Sequence, residues 1–341
     1  MTAVDDTRAA PTRSRREVIL AFIRLARLKF LLESLITVAL GMGLAALAGE
    51  GLRWREYLLA QVFISGTHLM THFCNEYFDW DADTAHASPT AWTGGSRVLT
   101  QGLLTPMASL SAAFVALFAM IAVAALMPSV GSRLTAVLIL ALAWFYTAPP
   151  VRLNYRALGE VTTAAVLTLL TPGLVCYLQA GRIPVELPAV CVPLFLVMSA
   201  RMMVMNLCDH EADLAVGKHT VPNRLGPRRA VGLIAALNVV AYLLLVVVTI
   251  AGALPPVVGV AVLLTAPLAY WLVRGLLDDP LSDPARSNAV ALRATLHAAS
   301  TGFAATLGVL IQAGGDPLVG ALLVAYLLLF IVLIAGVRRR A

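Results

Sequence analysis

Charge is scarce in this chain. Asp, Glu, Lys and Arg together make up 13% of its 341 residues, while 60% are hydrophobic. A domain that folds in water carries about twice that charge, so an ordinary soluble protein is excluded. Cysteine is scarce too, and Cys74, Cys176, Cys191 and Cys208 show no CxxC spacing. That excludes a thiolate metal site and leaves them as small apolar helix residues. A secretory leader is also missing: the first apolar run is already span-length, with no small-residue cleavage site behind a short core. Residues 1–17 are polar and rich in Thr, Ala, Arg and Pro, which reads as a disordered N-terminus.

What the chain has instead is hydrophobic length. Mean hydropathy is +0.84. Windows of about 20 apolar residues recur at 30–49, 55–74, 107–126, 132–149, 158–178, 186–207, 229–251, 254–274, 289–312 and 317–337. All must be helical, because unpaired backbone cannot face lipid. The pattern predicts an all-α, multi-pass transmembrane helical bundle. The ninth span is the weakest, since Arg293 and His297 interrupt its first turns. One membrane domain fills 18–337, and a basic tail follows at 338–341. With the N-terminus in the cytoplasm, twenty of the 25 Lys and Arg lie on the cytoplasmic side. Arg53, Arg55, Arg133 and Arg182 lie opposite, and Arg201 sits within a span. That bias sets the orientation in the cell membrane. The net charge of +6 therefore reports topology and contact with an anionic lipid bilayer, and calls for no nucleic-acid partner.

Two acidic clusters carry the chemistry, each where a span meets polar chain. The first runs Asn75-Glu76-Tyr77-Phe78-Asp79-Trp80-Asp81-Ala82-Asp83; the second runs from Asn206 through Asp209 to Asp213, continuing to Gly217-Lys218-His219-Thr220. On a helix Asn75, Asp79 and Asp83 recur every four residues, and Asn206, Asp209 and Asp213 fall at i, i+3 and i+7, so each set shares a face. Stacked carboxylates suit hard divalent cations that also hold a phosphate, as magnesium does. For any single carboxylate the alternative is a solvated headgroup-level charge; matching positions in two places argue against that for the set. The clusters lie about 130 residues apart and read as a weak internal repeat, both opening on one cytoplasmic mouth. His68 and His72 share a stripe with Asn75 and Asp79, and read as cavity lining. Arg201 lies inside a span with Asp209 two turns along, a placement that predicts either pairing with Asp209 or contact with substrate.

At these residues the chain resembles the UbiA superfamily of intramembrane prenyltransferases. Asn75, Asp79 and Asp83 match its first acidic motif; Asp209 and Asp213, followed by Gly217-Lys218-x-Thr220, match its second. Tyr146-Thr147-Ala148-Pro149-Pro150 looks like its Tyr-x-x-Pro-Pro loop, and Gly94-Gly95-Ser96-Arg97 has the family's look. The resemblance spans roughly 20–315 and implies a nine-helix core, to which the tenth span is an addition. It also implies two magnesium ions held by Asn75, Asp79, Asp83, Asp209 and Asp213, with an isoprenyl diphosphate as donor. The leaving group would be clamped by Arg97 and Lys218, joined by Lys29 and Arg152. Tyr146, His68, His72, Arg201 and Asn206 would line the substrate cavity. The second motif leans toward the dihydroxynaphthoate branch, which implies an aromatic acceptor of naphthoquinol type. Three departures stand out: Glu76 replaces Asp, Asn154 stands where Lys is common, and there is the tenth span. A membrane terpene cyclase, which needs no acceptor, would keep the same motifs. A cation-coupled transporter fits less well, since transporters place ionisable groups near the midplane.

Overall fold

The computed structural model describes residues 13–278 and 283–338, and among them every regular element is helical. Helix α1 (Arg15–Leu25) starts with a capping box: the Ser14 hydroxyl accepts from the Glu17 backbone, and the Glu17 carboxylate accepts from the Ser14 N–H. The expected disorder over 1–17 is corrected here, because that cap starts the helix at Arg15; residues 1–12 lie outside the described residues. α1 buries Ala21 and Leu25 and exposes Ile19, Leu20 and Ile23, the habit of a helix lying along an interface.

The spans follow in order. They are α2 (Leu28–Leu47), α3 (Trp54–Phe78) with its short continuation α4 (Trp80–Ala85), α5 (Pro106–Ala125) and α6 (Val130–Trp144). The fifth is α7 (Gly159–Ala165) and α8 (Thr171–Ala180) joined by a π turn over Val166–Leu170. Pro172 has no N–H for the carbonyl four residues back, which loosens the ladder at that point. Next come α9 (Glu186–Cys208), the short α10 (His210–Ala215) and α11 (Val221–Leu225), and α12 (Pro227–Ile250). The last three spans are α13 (Pro256–Leu263) with α14 (Ala266–Leu277), α15 (Pro284–Gln312) and α16 (Pro317–Arg338).

All ten sequence windows fall on these long segments, and eight of the segments are long and apolar enough to cross a membrane. α3 falls short because polar residues such as Gln61, His68, His72 and Asn75 lower its hydropathy, and α6 because it stops after 15 residues. The window placed at 132–149 is thus shortened to Trp144; the chain turns before Pro149-Pro150, as the residue before a proline disfavours helix. The weak ninth window becomes the longest helix, 29 residues. Its Arg293 bonds the Trp271 carbonyl and lies over that ring, while the buried His297 meets the Tyr242 hydroxyl at 2.8 Å. Large apolar side chains such as Phe118, Leu243, Ile250 and Leu328 remain exposed on the outside, a surface suited only to lipid. α2 and α9 are the most enclosed spans. α2 packs on α3, α8, α15 and α16, and α9 on α7, α12 and α15. Between them lies the cavity described next.

Candidate active site

Both acidic motifs break their helices at the first Asp. Asp79 separates α3 from α4 with φ −99° and ψ 10°, and Asp209 separates α9 from α10 with φ −95° and ψ 7°. This sparsely populated backbone region is frequent at active sites. One turn later the Asp83 N–H donates to the Asp79 carbonyl and the Asp213 N–H to the Asp209 carbonyl, each at 2.9 Å. The uninterrupted helical faces expected from the spacing are therefore bent, but in the same way in both halves, and α4 packs against α10. The 130-residue repeat is real as local structure.

The two bends meet over a cavity of about 1030 Å³, open space at its mouth included. Its wall carries Asn75, Asp79, Asp83, Asp209, Asp213, Lys218, Tyr146, His68, His72, Arg201 and Asn206. Asp79 accepts from Asn75 Nδ2 at 2.7 Å and from Asn154 Nδ2 at 3.2 Å. Lys218 Nζ stands 3.2 Å from both Asp79 and Asp213, joining the halves. Burial disfavours the Lys218 ammonium, yet Asp79 and Asp213 hold its pKa well above the usual lysine range. Burial pushes Asp83 and Asp213 up to about 7, and Asp213 Oδ2 has no hydrogen-bond partner. These are carboxylates short of positive charge. Among the described residues no group of three or more His, Cys, Asp or Glu side chains encloses an ion by itself. Magnesium ordinarily takes one or two carboxylates and completes its shell with water and phosphate oxygens. The paired carboxylates at each bend, one oxygen orphaned, fit that habit.

The other predicted cations are held elsewhere. Lys29 Nζ bonds the Ala91 carbonyl and lies over the Trp92 ring. Arg97 Nη1 bonds the Asp83 carbonyl, and Arg152 bonds the Phe78 carbonyl and lies over the Tyr155 ring. None of the three lines the cavity. Arg201 lines the cavity, but of the two placements expected for it the pairing with Asp209 is not made: its partner is Glu33 of α2, at 2.5 Å. An Arg enclosed among helices takes the nearest acid its rotamer reaches, and α2 lies across the cavity from α9.

Several participants escaped the sequence reading. Arg27, in the left-handed region at φ 47°, bonds Glu76 at 2.8 Å and approaches Asp83 at 4.0 Å. His86 Nε2 meets Asp209 at 2.8 Å; that hydrogen bond, with the carboxylate charge behind it, raises its pKa. Glu76 leaves the cavity and is buried, accepting from Arg27 and the Ser96 N–H. Glu160 plays the matching part in the other half, accepting from Asn206 and the Val221 N–H, both at 2.8 Å. A carboxylate thus pins each loop to its helix. Glu33 carried a usable signal: it is an acid inside a span, and the rule applied to Arg201 applies equally to it. Arg27 and His86 carried none beyond residue type.

Fold and site together define a polytopic integral membrane protein whose two bent acidic helix ends meet across one polar cavity. The chain belongs to the UbiA prenyltransferase family, whose pattern matches residues 34–296. It is similar to the 1,4-dihydroxy-2-naphthoate octaprenyltransferase of Bacillus subtilis (strain 168), with 26% identity over 174 residues. That match spans 51% of this chain and 55% of the relative, about half of each. Similar solved folds include a UbiA homologue from Aeropyrum pernix K1, at TM-score 0.59 and 18% identity, covering 79% of this chain and 96% of that one. A second is the digeranylgeranylglyceryl phosphate synthase, at 0.61 and 15%, covering 86% and 99%. A third is a UbiA homologue from Archaeoglobus fulgidus bound to GPP and Mg2+, at 0.57 and 17%, covering 84% and 99%. At these identities the structural likeness speaks for the fold alone.

Proposed function

We propose that this protein transfers a prenyl group from an isoprenyl diphosphate to an aromatic acceptor of dihydroxynaphthoate type, at the cytoplasmic face of the cell membrane. One observation carries the reading: Asp79 and Asp209, 130 residues apart, are brought to one cavity with Asp83, Asp213 and Lys218, and that cavity continues between apolar helices. Family membership, the naphthoate relative and the ligands of the Archaeoglobus homologue support it. The excess of basic residues on that side supports the orientation.

Asn75, Asp79, Asp83, Asp209 and Asp213 would hold two magnesium ions, which neutralise charge on the departing diphosphate when bound. Lys218 and Arg27 add fixed positive charge at the same wall, in a partly dry site where each contact is worth more than in water. Asn75 and Asn154 orient Asp79 by donating to it. His86 orients Asp209. Tyr146, His68 and His72 line the path from this polar mouth toward the interior, where the ring of an acceptor meets the prenyl carbon.

The test uses protein in lipid bilayers with geranyl, farnesyl or geranylgeranyl diphosphate, with and without dihydroxynaphthoate, and identifies the products. A prenylated naphthoate is the expected product. Cyclised hydrocarbon formed without acceptor would assign the site to a terpene cyclase, and no diphosphate release with any donor would sink both.

A further inference from the structure

A side chamber of about 680 Å³, its open mouth included, leaves the polar cavity at Glu33, Leu167 and Arg201, which line both spaces. Past that ion pair its wall is largely apolar. Along α2 it extends from Lys29 to Leu40, roughly 16 Å at the rise of an α-helix. On α15 the facing residues are small, Ala298, Ala299 and Gly302. A Cβ placed on Gly302 meets nothing nearer than Ile36 at 3.9 Å, so room exists there.

α16 closes the outer side of this chamber. It packs on α2 and α15, and it lies beyond the residues that match the family pattern. Tyr326 is 3% exposed and stacks between Phe303 and Phe330, with ring centroids 6.4 and 5.7 Å apart. Tyr326 and Phe330 line the chamber, while Leu327, Leu328 and Val332 on the opposite face are exposed. The helix is a panel with lipid on one side and the chamber on the other.

We propose that α16 is the outer wall of the pocket for the donor's hydrocarbon tail, and that Tyr326 and Phe330, packed at the level of Leu32 and Ile36, bar the tail from passing outward into lipid and so limit which tail lengths fit. The proposal rests on the prenyl-donor reading above. A polar head held at the acidic bends sends its tail past Glu33 and Arg201 into the apolar space, because that space adjoins the head site and its lining matches hydrocarbon. A tail longer than the chamber has to leave through this wall, where Tyr326 is held by its stack on Phe303 and Phe330 by its stack on Tyr326.

The experiment compares wild type with Tyr326→Ala, Phe330→Ala and Gly302→Leu in bilayers. An equimolar mixture of geranyl, farnesyl and geranylgeranyl diphosphates gives relative kcat/KM. Thermal stabilisation by the matching unreactive thiodiphosphates gives relative binding without turnover. Tyr326→Ala and Phe330→Ala should shift the preference toward longer donors, and Gly302→Leu toward shorter ones, each by about tenfold or more, since a few carbons in a hydrophobic pocket discriminate on that scale. Length profiles unchanged in all three variants, by both readouts, overturn the ruler while leaving prenyl transfer intact. Shifted stabilisation profiles without product from any donor overturn transfer and uphold the ruler.

Discussion

Lys218 touches both acidic bends, and its consequences are the most local. Lys218→Met removes a positive charge from the point where the two halves join, and should lower turnover about 100-fold, the scale of one lost electrostatic contact at a charge-developing centre. A rate assay beside a measure of folded yield checks it; unchanged turnover would put Lys218 outside the mechanism. Asp83 and Asp213, pushed up to about 7 by burial, give a second prediction. Metal ligation requires the ionised carboxylate, so magnesium affinity should fall as pH drops below about 7, with protons released on binding. Without metal the direction reverses. A carboxyl whose folded pKa exceeds its unfolded value favours folding at low pH, and that contribution is lost as pH rises through about 7. Metal-free protein should therefore melt at a higher temperature at pH 6 than at pH 8, with magnesium narrowing the gap; calorimetry in buffers of different ionisation heat reads both effects. Arg201 is buried while its partner Glu33 stays partly exposed to the cavity, so Arg201→Met alone leaves an unpaired carboxylate in a partly dry site and should cost about 1–3 kcal/mol. Adding Glu33→Gln should recover much of that loss. A double variant no more stable than the single would show that the two do not depend on each other.

Helices were legible because lipid demands them, but their ends and bends were not. Span-length apolar runs located all ten segments, whereas the break at Asp79 and the early stop at Trp144 depend on which neighbours receive the freed carbonyls. Close contacts between elements were equally hidden. A Cβ on Gly41 of α2 would stand 2.6 Å from Val175 Cβ of α8 and 2.7 Å from the Pro172 carbonyl. Gly41→Ala should therefore destabilise by about 1–3 kcal/mol as the helices are forced apart, read as a lower melting temperature in detergent. Gly95 is tighter and more functional. It has φ +76°, and a Cβ there would stand 2.0 Å from Asp83 Oδ2. Gly95→Ala should displace that carboxylate and reduce turnover, with a further loss of about 1–2 kcal/mol of stability because an alanine is strained in this left-handed backbone. A variant with normal turnover would show that Asp83 tolerates the shift.

Across the whole molecule, ten crossings, as the sequence windows imply, would put both chain ends on one side of the membrane. Reporter fusions at residue 1 and after residue 341 should both read cytoplasmic; a C-terminus outside would mean that one late segment does not cross. Composition alone determined that this is a helical membrane protein, because a chain with 60% hydrophobic residues has no other solvent in which to satisfy its backbone. Motif spacing determined the two acidic stations, since periodicity along one helix is a property of neighbouring residues. The tertiary structure decided everything that joins distant residues. It paired Arg201 with Glu33 across α2 and α9, and drew Lys29, Arg97 and Arg152 onto backbone carbonyls. It brought Arg27 and His86 to the acidic bends and laid α16 along the apolar chamber. A long cationic side chain reaches several acceptors, and the packing of helices, set by side chains far away in sequence, determines which of them is near.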